Sequence, residues 1–118
     1  MDELRPPKSL AKFDDFAKMD LRVAPVLDCR EHPNADKLLI VKVDLGTEQR
    51  QICALLKGHY HPDELLGKLV VVAANLESRT LRGEVSQGLI LSAAEGPTKT
   101  RMVVLSLSAD VAVGSVVA

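Results

Sequence analysis

Arg79, Arg82, Ser86 and Gln87 share one polar stretch between two apolar runs. A guanidinium pairs with phosphate through parallel hydrogen bonds. A glutamine amide carries both a donor and an acceptor, and so can meet a base edge or a ribose hydroxyl. Lys37 and Lys42 lie on a strand-like segment upstream, and in small β-barrels the outer face of such a strand is often the binding face. The chemistry these residues offer is recognition of a polyanion. Composition alone favours the plainer reading of a solvated loop beside ordinary surface lysines.

Other chemistries are weaker. His59-x-His61 has a spacing that can hold a transition metal, with Cys53 nearby, but no second pair completes a four-ligand set. No metal and no cofactor is expected. Asp14-Asp15 and Asp63-Glu64 are neighbours, which point apart on a helix, so they read as helix N-terminal charges and not as an acid/base pair. Gly83 and Gly88 flank Ser86 without an obvious base, and no nucleophile elbow, Walker loop or dinucleotide fingerprint is present. The expectation is a protein that is not an enzyme.

Composition narrows the choice. Lys plus Arg is 15 and Asp plus Glu is 16, a net charge of -1, which excludes a generic polycation but not a local basic patch. Phe13, Phe16 and Tyr60 are the whole aromatic complement, so no row of stacking rings exists for single-stranded RNA. No apolar run approaches the ~20 residues of a membrane helix, and Met1 to Lys8 lacks the apolar core of a signal peptide. A cytoplasmic protein is expected, with Cys29 and Cys53 reduced and buried.

The elements that must position these side chains are mostly strands. Residues 1–10 read as a flexible leader and 11–118 as a single domain. Phe13, Phe16 and Ala17 form one apolar face of a helix too short to stand alone. Asp20 to Cys29 reads as a long strand, with Pro25 at a bulge or unpaired edge. Lys37 to Leu45 places Leu39, Val41, Val43 and Leu45 on one face and Lys42 and Asp44 on the other, and pairs with Arg50 to Leu55. A helical turn follows Pro62. Lys68 to Ala74 reads as a strand buried on both faces, 75–83 as a loop, and Gln87 to Ala94, Met102 to Leu107 and Gly114 to Ala118 as further strands. The sum is all-β, a small barrel or sandwich. A five-stranded Greek-key barrel of the OB type fits the length.

Three segments carry a resemblance. Phe13 through Val23, His32-Pro33-Asn34-Ala35-Asp36-Lys37-Leu38 followed by Val41 through Gly46, and Asn75-Leu76 through Arg82-Gly83 with Ser86-Gln87-Gly88 together resemble the tRNA-binding domain family, in order and at family spacing over residues 13–117. That family includes free-standing bacterial tRNA-binding proteins, the C-terminal appendix of methionyl-tRNA synthetases, part of an animal synthetase-associated cytokine, and the secretion chaperone CsaA. The resemblance implies an OB-fold barrel with a short N-terminal helix and C-terminal strand additions. It implies a homodimer with Phe13 and Phe16 at or near the seam, and recognition of folded tRNA by shape without any reaction. Arg79, Arg82, Ser86 and Gln87 are then the core of the RNA contact, Asn75 orders the loop or touches RNA, and Lys37 and Lys42 are secondary. A synthetase or an unfolded polypeptide is the alternative partner.

This chain departs from the family pattern in places. Basic members carry Lys-Pro-Arg-Lys after Asn-Leu, where this sequence has Glu77-Ser78-Arg79-Thr80. Each lost phosphate contact should weaken binding and flatten its salt dependence. Ala24-Pro25, Ala54-Leu55-Leu56 and Leu89 also stand where the family usually differs.

Overall fold

The computed structural model describes residues 5–96, 98 and 100–118. A short helix α1 (Phe13–Ala17) precedes β1 (Leu21–Glu31), β2 (Leu39–Asp44) and β3 (Gln49–Ala54). A single helical turn α2 (Pro62–Leu65) leads to β4 (Leu69–Ala73), followed by β5 (Arg79–Leu81), β6 (Glu84–Ser86), β7 (Leu89–Ile90), β8 (Ser92–Glu95) and β9 (Arg101–Val104). The main sheet has the order β3-β2-β1-β4-β7, antiparallel throughout, and curls into a nearly closed five-stranded barrel of OB type.

β1 is long because it serves two partners. Leu21 to Pro25 pairs with β4, and Val26 to Glu31 pairs with β2. The register slips between Val26 and Asp28, so the bulge lies at Leu27 and not at the expected Pro25, which stays in register with Leu69. A bulge bends and twists the strand, which lets one strand turn a barrel corner. The C-terminal segment adds to the start of β1. Val23 N donates to Ser115 O (2.9 Å), Gly114 N to Val23 O (2.8 Å) and Val117 N to Leu21 O (2.8 Å). This is the expected terminal strand, reduced to one bridge and its flanking bonds.

The core follows from period-two alternation. Leu39, Val41, Val43 and Leu45 are buried together on one face of the β2 segment, against Ile52, Val70, Val72 and Ile90. Each such side chain is worth roughly 1.5–3 kcal/mol of burial. All of Val70, Val71, Val72 and Ala73 are buried, as a continuous apolar run requires. β7 extends the sheet along β4. There Gly88 has φ +132, and a Cβ on it would lie 2.9 Å from Ala73 O, so only glycine fits without a shift.

Two expectations change. The 75–83 stretch is not all loop, since Arg79 to Ser86 forms the β5–β6 hairpin. The single strand expected over Gln87 to Ala94 breaks at Leu91, with β7 on β4 and β8 on β9. Helix α1 forms where expected, but Phe13 is 80% and Phe16 47% exposed, so the helix does not cap its own barrel. Cys29 and Cys53 are buried and unbonded to each other. Burial pushes the Cys29 thiol up to about 11 and raises that of Cys53, which makes both poor nucleophiles at neutral pH.

Candidate nucleic-acid interface

The β5–β6 hairpin pairs Arg79 with Ser86, Thr80 with Val85 and Leu81 with Glu84. Two residues turn it, Arg82 at φ 52 and Gly83 at φ 89. Left-handed backbone at both central positions is the requirement of a type I′ turn, whose twist matches the flanking strands. Gly83 meets it at no steric cost. Arg82 is the sole non-glycine residue with positive φ among the described residues, and that conformation costs about 1–2 kcal/mol. The backbone therefore holds Arg82 at the hairpin tip against its own preference.

The rest of the hairpin is pinned to the barrel. Gln51 Nε2 donates to Glu84 Oε1 (3.2 Å) and to Val85 O (2.9 Å), and Arg30 reaches Glu84 Oε1 at 3.4 Å. Leu81 packs on a small apolar patch of Leu38, Ile40 and Cys53 on the outer side of β2 and β3. The His32 ring contacts Leu81 O at 2.8 Å.

Between this hairpin and the 32–38 turn runs a groove of about 790 Å³. Lys37 lines one side, Arg79 and Arg82 the other, and Leu55, Leu89 and Met102 contribute apolar floor. A second cleft of about 480 Å³ lies beyond Arg79, lined by Leu76, Glu77, Ser78 and Leu89. Arg79 borders both.

The structure sorts the sequence candidates. Arg79, Arg82 and Lys37 come together on the groove. Lys42 is exposed on the outer face of β2, between Asp28 and Gln51 in the pairing, away from the groove lining. Ser86 differs most from expectation. It is buried, its hydroxyl accepts from Cys53 N (3.0 Å) and donates to Gly88 O (3.3 Å), so it serves the scaffold. Gln87 lies at the barrel seam, with side-chain Oε1 accepting from Gln51 N (3.3 Å) and its backbone N–H donating to Gln51 O (2.7 Å). Asn75 ties the chain after β4 to the end of α1, accepting from Asp20 N (2.8 Å) and donating to Lys18 O (2.6 Å).

Charge pairing separates the arginines further. Arg22 faces Asp20, Arg30 faces Glu84, Arg50 faces Glu48 and Arg101 faces Glu95. Lys57 faces Glu31. Arg79, Arg82 and Lys37 have no carboxylate partner within ion-pair distance among the described residues. A phosphate can reach these cations without first breaking a salt bridge. His59 and His61 are used locally, His59 Nδ1 accepting from Met102 N and His61 Nδ1 from Asp63 N at the start of α2. No cluster of three His, Cys, Asp or Glu that could hold a metal occurs among the described residues.

With this geometry in place, comparison with known proteins is decisive for the family. The family model "Putative tRNA binding domain" matches residues 21–116. The chain belongs to this tRNA-binding domain family. Relatives include the methionine–tRNA ligase of Pyrococcus abyssi, 59% identical over 85 residues, and that of Thermotoga maritima, 54% identical over 86 residues. These alignments cover 72% and 73% of this chain but only 12% and 14% of the ligases, so the chain spans a small part of those relatives. Among solved structures, a methionyl-tRNA-synthetase-related protein from Pyrococcus horikoshii superposes with a TM-score of 0.85 at 27% identity, covering 93% of this chain and 99% of that one. The chaperone CsaA from Bacillus anthracis superposes at 0.84 with 24% identity, covering 93% of this chain and 100% of that one, a likeness of fold.

In the sequence His32 stands out only as the first residue of a segment that carries the family resemblance. Its burial and its contact across to Leu81 are tertiary facts. The one available signal was a histidine followed by Pro33 and Asn34 in a tight polar turn.

Proposed function

We propose that this chain is a non-catalytic tRNA-binding module that grips folded tRNA through Arg79, Arg82 and Lys37. The observation that carries the proposal is the absence of a carboxylate partner on these three groove cations among the described residues, while Arg22, Arg30, Arg50 and Arg101 are each engaged. Such cations on a rigid hairpin and a rigid turn suit phosphates held at fixed spacing by a folded RNA. Lys42 adds charge on a neighbouring face. Asn75, Ser86 and Gln87 hold the frame and do not meet RNA themselves. The module works as a homodimer in the cytoplasm, with Phe13 and Phe16 covered by a second copy. Both rings are exposed and 6.5 Å apart on a helix too short to persist unburied. The methionine–tRNA ligase relatives support a role beside a synthetase.

The test is fluorescence anisotropy with folded bulk tRNA, an unstructured RNA of similar length and duplex DNA, each at low and near-physiological salt. Preference for folded tRNA that survives the higher salt supports the proposal. Weak binding to all three that vanishes with salt refutes it, because that is the non-specific electrostatic term alone. A second reading, polypeptide binding, draws on the exposed Leu55 and Leu89 in the groove. Suppression of aggregation of a denatured client without tRNA preference would favour it.

A further inference from the structure

His32 and Ser86 are the buried polar residues of the described chain, and His32 is 3% exposed. Asn34 N donates to its Nδ1 at 2.9 Å. That nitrogen is therefore the acceptor, and the ring proton sits on Nε2, which donates to Leu81 O at 2.8 Å. The His32 backbone amide donates to Leu38 O at 3.1 Å and closes the turn that carries Lys37. Leu81 is the residue immediately before Arg82. One imidazole thus joins the Lys37 wall of the groove to the Arg82 wall.

We propose that His32 is a positioning residue for RNA binding, a rigid strut that sets the spacing between Lys37 and the Arg82 hairpin tip. This inference rests on the tRNA reading above. The other pins all act on the far strand, since Gln51 and Arg30 hold Glu84 and Val85, and Cys53 holds Ser86. Within the hairpin β5 is paired only with β6, and against the barrel its remaining restraint is the non-directional packing of Leu81 on Leu38, Ile40 and Cys53. Without the strut the hairpin stays attached while its β5 side and tip gain freedom. The strained backbone of Arg82 makes that freedom consequential, because relaxation moves the guanidinium.

Two conservative substitutions divide the ring's functions. H32N keeps an acceptor near Nδ1 for Asn34 and loses the reach to Leu81. H32Q keeps a donor near the Nε2 position. Loss of one buried hydrogen bond predicts roughly a fivefold to tenfold fall in affinity for folded tRNA in H32N, whereas H32Q should stay within about twofold of the parent. In an R82A background H32N should change affinity by less than about twofold, since the strut acts through that side chain. Amide hydrogen exchange, read without RNA, should quicken over residues 80–86 in H32N and stay unchanged along β1 and β2. Parent-like tRNA affinity in H32N, an equal loss in the R82A background, or unchanged exchange over 80–86 would each overturn the strut. Failure of the parent chain to prefer tRNA would instead overturn the proposed function, and the exchange measurement would still decide whether His32 braces the hairpin.

Discussion

The Ser86 hydroxyl accepts the Cys53 backbone N–H at 3.0 Å, joining the end of the β5–β6 hairpin to strand β3 of the barrel. β3 is an edge of the main sheet, and Cys53 lies on it where no further strand of that sheet pairs. The serine thus satisfies a backbone donor that burial would otherwise leave unpaired, and does so from a side chain that donates onward to Gly88 O.

Ser86→Ala should therefore destabilise the fold by about 1–3 kcal/mol, the range for leaving a buried donor unsatisfied. Urea unfolding measures it. At temperatures where the variant remains folded, its tRNA affinity should lie within about twofold of the parent. A large loss of affinity with unchanged stability would return Ser86 to the RNA contact.

Glu77 lines the cleft on the far side of Arg79 and is exposed. Its negative charge opposes an approaching phosphate backbone. Glu77→Lys changes the local charge by two units and should tighten tRNA binding several-fold, with a steeper dependence on salt by about one ion. Anisotropy titrations over a salt series measure both quantities. Unchanged affinity and slope would place the RNA away from this cleft.

The exposed rings of Phe13 and Phe16 set a prediction for assembly. Val116, 72% exposed, bridges Arg22 next to the start of β1, into which α1 leads, so apolar surface from both chain ends gathers at this end of the barrel. Sedimentation equilibrium should find a dimer. Phe13→Ser with Phe16→Ser should shift it toward monomer with the circular dichroism of the barrel intact. A parent chain that sediments as a monomer at high micromolar concentration would refute the seam.

The barrel was legible in the sequence where burial is one-sided or complete. Alternation through Leu39, Val41, Val43 and Leu45 marks β2, and the apolar run to Ala74 marks β4. The hairpin was not legible. Its strands are too short for a period to show, and its turn lacks the Asn-Gly or Asp-Gly signal because Arg82 occupies the left-handed position. Arg79 and Arg82 were candidates on side-chain chemistry alone, and the fold brings both to one groove. The internal hydrogen bonds of Ser86 and Gln87 were not legible, because what a polar side chain meets is decided by what packs over it, here the seam between Gln51, Cys53 and the hairpin. Lys42 was placed on the correct face of β2, yet which part of that face borders the groove depends on the 32–38 turn.

The most direct test of the account is the salt dependence of tRNA binding for the parent, Arg79→Ala and Arg82→Ala. Each substitution should weaken binding to every tRNA by a similar factor and lower the slope of log affinity against log salt by about one. An affinity and slope unchanged in both variants, or a loss confined to one tRNA species, would contradict the claim that these two guanidiniums, without carboxylate partners among the described residues, are the phosphate contacts of a shape-reading module.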